Sequence, residues 1–341
     1  MKKRILKLLL AIICLLGSVN VSAHDFKVDG ICYDVVSLSE FTCKVVREMA
    51  SKNSYYYYTG DIVIPATVNY ANKTWTVVAI ESGVFSESSD LTGITIPNTI
   101  SSIGKNMFYR CPKLARVTIE DGNTVLELGY NGDNTTNRGL FSDCPIDSLY
   151  LGRNLSYNSD SYLGVSPFAK NRSIRKVTIG NSVTSIGQYA FYYCSGLTKV
   201  TIPNSVTGIG SSAFSGCSGL TSVTIGNSVT SINSSVFYGC SGLTTLYSFN
   251  TTPPNVDSDN FTNKQYMTLN VFVPQEALAT YQSAAPWNNF WNLQGFDATG
   301  VEHVKAEGGN ANIYYDLRGN RLDAPKCGLN IINHKKVMMK P

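Results

Sequence analysis

Histidine is scarce in this chain: three residues, His24, His303 and His334, among 341. All three fall near the ends, so a Ser-His or Cys-His nucleophile system would have to bring the N-terminus and the C-terminal tail together. No H-E-x-x-H, G-x-x-x-x-G-K or G-x-S-x-G string occurs. Asp and Glu are scattered rather than paired at repeated positions. Zinc hydrolysis, phosphate cradling and a serine nucleophile therefore all lack their residues. The chain reads as non-enzymatic, with no catalytic set, no metal site and no cofactor.

Charge is sparse too, at 15%. The formal +4 belongs to the first 23 residues, where Lys2, Lys3, Arg4 and Lys7 precede an apolar run from Ile5 to Leu16 and a Val21-Ser22-Ala23 cleavage site. Subtracting those four from 28 Lys and Arg leaves 24, against 24 Asp and Glu. Residues 1–23 thus read as an export signal, and the mature chain from His24 is neutral. A neutral chain without a Lys/Arg cluster lacks the footprint for nucleic acid. After the signal no apolar run approaches the roughly 18 residues of a spanning helix. The product is expected outside the cell or on its outer surface, as a monomer without a membrane span.

What is abundant is repetition. Phe85, Phe108, Phe141, Phe168, Phe191, Phe214 and Phe237 recur at separations of 23, 33, 27, 23, 23 and 23. A fixed period in the twenties signals a solenoid, whose units bury their apolar faces only against one another. Within a unit, Leu197, Val200, Ile202, Val206, Ile209 and Phe214 are apolar. Val200-Thr201-Ile202 alternates with period two, which predicts a short strand with Val and Ile inward and Thr outward. Equivalent strands are expected at 62–64, 94–96, 117–119, 149–151, 177–179, 223–225, 246–248 and 271–273. The fold class is mainly β: about nine stacked coils whose parallel strands form one sheet.

The string L-x-x-V-x-I-P-N-S-V-x-x-I-G-x-x-A-F-x-x-C from Leu197 to Cys217 resembles the BspA-like, Treponema pallidum type of leucine-rich repeat, found on bacterial surfaces. The resemblance covers about residues 62–274. It implies adhesion to host proteins or to other cells. The stretches 121–138 and 157–165, rich in Asn, Gly and Ser, are expected to bulge from the coils as loops.

The ends divide as follows: an N-terminal cap over 24–61, with alternating stretches at 31–36 and 42–46; the solenoid over 62–274; and a C-terminal cap over 275–297, opened by a short helix from Gln275 to Ala284. In that cap Trp287, Phe290, Trp291 and Phe296 either pack on the last coil or form a carbohydrate platform. A linker over 298–311 precedes a short β tail at 312–341. Its Tyr314-Tyr-Asp-Leu-Arg-Gly and Gly328-Leu-Asn-Ile-Ile strings are similar to C-terminal segments of proteins secreted by Bacteroidetes. That likeness implies secretion or surface attachment; a structural end-cap is the other reading.

Three columns follow from the repeat. Cys111, Cys144, Cys194, Cys217 and Cys240 all sit three residues after a repeat Phe, so they read as buried packing thiols rather than a disulfide framework. Cys32 and Cys43 are left open as a pair across the N-terminal hairpin. Asn98, Asn123, Asn154, Asn181, Asn204 and Asn227 read as a structural ladder at the coil turn, each amide bonding backbone groups and the next Asn. The outward sheet face is threonine-rich and is interrupted by Arg116, Lys176, Lys199, Tyr150 and Tyr247, with Arg175 beside them. Those six are the candidate ligand-binding residues, because Arg and Tyr are enriched at interface hot spots. The expected partner is a host or bacterial surface protein, or a polysaccharide if exposed aromatics form platforms.

Overall fold

The computed structural model describes residues 24–51, 54–131, 139–141, 144–158 and 166–296, and four short strands of the tail at 314–315, 321–322, 328–332 and 335–339. Residues 1–23, where an export signal is expected, and 298–311, the expected linker, lie outside the described residues. The repeat becomes a ten-stranded sheet running in order from Thr59–Val63 through Asp90–Ile96, Arg116–Ile119, Ser148–Leu151, Lys176–Ile179, Lys199–Ile202, Ser222–Ile225, Thr245–Ser248 and Asn270–Pro274 to Asn292–Phe296. All of its pairings are parallel. The tenth strand was not expected: Phe296, assigned to cap packing, instead ends a strand that pairs with Asn270–Pro274.

Alternation within each strand sets what is inside. Val200 and Ile202 are buried while Thr201 between them is exposed. The chain then turns and pairs a second time through much shorter strands, at Ser185–Ile186, Gly208–Ile209, Ser231–Ile232 and Asn255–Val256. The repeat phenylalanines close each coil and stack in a file, with ring centroids 4.8–6.1 Å apart from Phe85 to Phe237. Phe261 continues the file at 5.9 Å. Edge-on rings close both ends, Tyr58 against Phe85 at 4.8 Å and Phe290 against Phe261 at 5.0 Å, a favourable geometry for aromatic quadrupoles.

The insertions are smaller than expected. Leu126–Leu128 is a strand of the second row, between Ser102–Ile103 and Leu155–Ser156, with Leu126 and Leu128 buried. Its period-two alternation keeps this part of 121–138 in the coil; residues 132–138 lie outside the described residues. In the second insertion the Tyr157 hydroxyl donates to the Gln188 carbonyl at 2.9 Å, which anchors the loop's start; residues 159–165 lie outside the described residues.

The N-terminal strands Phe26–Val28, Ile31–Ser37 and Thr42–Val46 are antiparallel, and the last joins Lys73–Ile80 in parallel. They therefore cover the edge of the second, shorter row rather than the edge of the long sheet. Cys32 opposes Val46, and Cys43 opposes Val35, so the two thiols are out of register, and both are free and buried. At the other end the expected helix is shorter, a 3-10 turn at Gln275–Ala277 followed by an α-helix at Leu278–Ser283. Trp287, Tyr281 and Phe290 are buried there, and the Trp287 indole donates to the Pro254 carbonyl at 2.9 Å. Trp291 alone of the four cap aromatics is freely exposed, at 74%.

Candidate functional site

The register brings the second outward column into line as Asp61, Gly93, Arg116, Ser148, Lys176, Lys199, Ser222 and Thr245. Asp61 changes the reading of this face. Its carboxylate reaches over Gly93 to the Arg116 guanidinium at 2.6 Å and also accepts from the Thr92 hydroxyl at 2.6 Å. A side chain at Gly93 would meet that carboxylate at 2.5 Å, so glycine makes the crossing possible. The Arg116 hydrogen bond, then that of Thr92, holds the Asp61 carboxyl below its ordinary range. Arg116 is therefore part of a neutral pair rather than a free cation. Arg175 is also near a carboxylate, with its Nε 3.8 Å from Asp147.

Lys176 and Lys199 differ. They are exposed and stand opposite each other on adjacent strands, and among the described residues neither has a carboxylate within 4.0 Å. The basic stripe expected from sequence thus narrows to this pair.

The two tyrosines are held rather than free. The Tyr150 hydroxyl donates to Asp121 at 2.6 Å, and burial, then that carboxylate, pushes its phenol up to about 12. Tyr247 stacks on Phe272 at 4.8 Å and 17°, with Phe296 edge-on at 6.3 Å and Phe249 against Phe296 at 5.2 Å. The C-terminal end of the sheet face is therefore an aromatic strip of four half-held rings. Sequence reasoning missed Asp61, Asp121 and this strip. Column arithmetic carried the first: Asp61 lies one position ahead of Ile62, as Arg116 does of Val117.

The asparagine ladder needs correction. Counting two residues beyond the last inward residue of each strand, the turn column is Asn98, Asp121, Arg153, Asn181, Asn204, Asn227 and Asn250, so Asn123 and Asn154 are not members. Asn98, Asn181, Asn204 and Asn227 are exposed. The one rung between neighbours runs from the Asn227 backbone N–H to the Asn204 side-chain oxygen at 3.0 Å. Solvent satisfies an exposed amide, so no continuous chain of amides is needed. The insertions shifted the apparent period and concealed Arg153. Its guanidinium is fully buried and donates to the carbonyls of Pro97, Asn98 and Ile100 at 2.8–3.0 Å.

The cysteine column is a hydrogen-bonded one. Cys111, Cys144, Cys194, Cys217 and Cys240 are buried, and each thiol donates to the carbonyl of the preceding coil's Phe at 3.0–3.4 Å. In the Phe168 coil, which has Asn171 in place of cysteine, that amide donates to the Phe141 and Cys144 carbonyls at 2.8 Å.

Short parallel strands on one side, shorter ones on the other and a file of buried rings between them define a leucine-rich repeat solenoid. The chain belongs to the BspA type leucine-rich repeat family, whose pattern matches six copies over residues 61–131, 78–166 and 161–283. No curated protein matches it. Among solved structures it is similar to a leucine-rich cell surface protein of Faecalibacterium prausnitzii, at 18% identity over 82% of this chain and 100% of that one, with a TM-score of 0.37. The leucine-rich repeat protein of T. pallidum matches at 18% identity over 80% of this chain and 99% of that one, with a TM-score of 0.40. The pneumococcal vaccine antigen PcpA matches at 15% over 82% and 98%, with a TM-score of 0.35. Among the described residues no helix is long and apolar enough to cross a membrane.

Proposed function

We propose that this repeat protein is an exported, non-enzymatic binder that holds a host or bacterial surface protein on its long sheet face, between Tyr150 and Tyr247, and so serves adhesion. The carrying observation is the Lys176–Lys199 pair. Like charges directly opposite on neighbouring strands destabilise a sheet, yet this pair is exposed and has no carboxylate beside it among the described residues, whereas Arg116 and Arg175 each have one. Two such ammonium groups suit an acidic patch supplied from outside. The flanking aromatics add amphipathic area of the kind that anchors protein interfaces. From Tyr150 to Tyr247 is four strand steps, roughly 19 Å at the usual spacing, a span that fits a protein patch better than a small metabolite.

The test is a binding screen of the mature chain, from His24, against immobilised extracellular-matrix proteins. The double substitution Lys176→Ser with Lys199→Ser should weaken binding to any ligand found by more than tenfold, while circular dichroism and thermal unfolding stay unchanged. Normal binding by that variant would remove the sheet face from consideration. Export itself is checked by fractionating the native host and sequencing the mature N-terminus.

A further inference from the structure

A second surface lies on the turn that follows the repeat phenylalanine. Among the described residues, the residue two positions after a repeat Phe adopts positive φ along the stack: Glu87 at 63°, Arg110 at 56°, Lys170 at 63°, Tyr193 at 57°, and Gly216 and Gly239 both at 73°. In the first four of these coils a side chain leaves this point. At Gly216 and Gly239 none does; the Tyr193 ring covers Gly216, and an open groove of about 380 Å³ includes both glycines in its lining.

The groove's walls are aromatic. The Tyr193 ring lies over Gly216, where an added Cβ would meet ring carbons at 2.8 Å. Tyr192 steadies that ring edge-on at 4.5 Å, and Tyr189 steadies Tyr192 at 5.4 Å. Tyr238 stands on the other side, 57% exposed, and Tyr193 is 46% exposed. Ser195, Ser215 and Ser218 also line the groove, as does Arg172, the single charged side chain among the described lining residues. Arg172 has no carboxylate within 4.0 Å among the described residues.

The chemistry of this lining selects a ligand class. Three N–H groups along the groove are already used within the stack, Tyr193 to Ser215, Gly216 to Tyr238 and Ser218 to Gly216 at 2.7–2.8 Å, so an added peptide strand would find few donors there. No aliphatic side chain lines the groove, so a hydrophobic anchor would find no pocket. Exposed rings beside hydroxyls suit a molecule with apolar C–H faces and polar edges. A guanidinium with no carboxylate beside it among the described residues suits an acidic ligand, which it can grip through two parallel hydrogen bonds. We infer that this groove is a binding site for a short acidic saccharide, one or two sugar units bearing a carboxylate, stacked between Tyr193 and Tyr238 with its acid on Arg172.

The site shares no residue with the sheet face, so its test stands apart from that of protein adhesion. Sialyllactose and digalacturonic acid serve as probes, with lactose as the neutral control, titrated into the mature chain and followed by saturation-transfer NMR and calorimetry. At least one acidic probe should bind, with a dissociation constant on the order of 1 mM or tighter, as a shallow groove permits, and lactose at least tenfold more weakly. Tyr238→Ala and Arg172→Gln should each lower that affinity at least fivefold. Both residues are exposed, so circular dichroism should be unchanged. Tyr193→Asn, which tolerates the same positive φ, should do likewise. Lys176→Ser and Trp291→Ala should leave it unaltered. Absence of binding by both acidic probes, equal binding of lactose, or retention of affinity in Arg172→Gln or Tyr238→Ala would each overturn the assignment.

Discussion

The thiol of Cys194 donates a hydrogen bond to the main-chain carbonyl of Phe168, 3.1 Å away in the preceding coil. The same bond recurs from Cys217 to Phe191 and from Cys240 to Phe214, so one residue type performs two tasks. It fills a crowded turn with a small apolar atom, and it adds a second hydrogen bond to a buried carbonyl that already accepts the backbone N–H three residues on, as Phe168 does from Asn171 at 3.1 Å. Asn171 does the second task with an amide and has no thiol to oxidise.

Buried thiols engaged in this way are poor nucleophiles, because reactivity belongs to the thiolate. We expect Cys111, Cys144, Cys194, Cys217 and Cys240 to resist alkylation in the native chain and to react fully once it is unfolded. Mass spectrometry after native and denatured labelling reads both states. A recovered Cys194–Cys217 disulfide would contradict the donor role.

Burial pushes the thiol of Cys111 up to about 11 and that of Cys240 up to about 12, from an ordinary value of 9.0. Above pH 9 the unfolded chain releases thiol protons that the folded chain keeps. Stability should therefore fall as pH rises from 9 through about 12, at up to about 1.4 kcal/mol per pH unit for each thiol, while below pH 9 these groups contribute no pH dependence. Urea midpoints at pH 8, 9.5 and 10.5 test this; equal midpoints at pH 8 and 10.5 would refute it.

Arg153 holds three carbonyls of an earlier coil with no carboxylate bonded to it. Replacing it with Met keeps much of the volume and removes all three bonds, leaving the Pro97 carbonyl only the Ile100 N–H and the Asn98 carbonyl only the Thr124 hydroxyl. Under-satisfied buried acceptors and lost charge-assisted bonds together should cost about 2–4 kcal/mol, read as a lower urea midpoint. A change under about 0.5 kcal/mol would mean that the guanidinium is dispensable.

Each coil buries its core against the next, so damage should spread. Ile202→Asp places a carboxylate in the stack beside Val200 and Val206, all fully or nearly fully buried. Hydrogen exchange should show lost protection in the coils on both sides, at Ser185–Ile186 and Ser231–Ile232, as well as at Gly208–Ile209. Loss confined to the mutated coil would argue against coupling.

Because Asp61 neutralises Arg116, Arg116→Ser should leave protein binding at the sheet face nearly unchanged where the lysine double variant weakens it more than tenfold. Asp61→Asn frees the guanidinium and should instead strengthen capture of an acidic partner at low salt and lose that gain at high salt. Surface plasmon resonance at two ionic strengths separates the three variants.

The stack was legible in the sequence because a solenoid repeats its constraints: Phe, Cys, Leu, Val and Ile return at the same offsets wherever a coil must close, bond and bury. The Lys176–Lys199 adjacency was legible for the same reason. Pairings that cross coils were not. Asp61 and Arg116 are 55 residues apart and meet only because Gly93 between them has no side chain. Arg153 was hidden because two insertions displaced the period, and because an arginine is ordinarily an exposed residue. The groove at Gly216 and Gly239 is written as an omission, a side chain missing twice, which a search for distinctive residues passes over.

The bond from each thiol to the carbonyl behind it gives the stack a direction and a pitch. From Phe168 to Phe237 the offsets repeat every 23 residues, and each coil offers its successor the same carbonyl, ring and strand edge that it received. Removing or copying one such unit whole would join surfaces that already match. Removing part of one would leave a ring without its neighbour. In this stretch, chain length behaves as a count of copies rather than as a continuous quantity, and the span of the outward face can be lengthened or shortened in single-strand steps without redesigning either end.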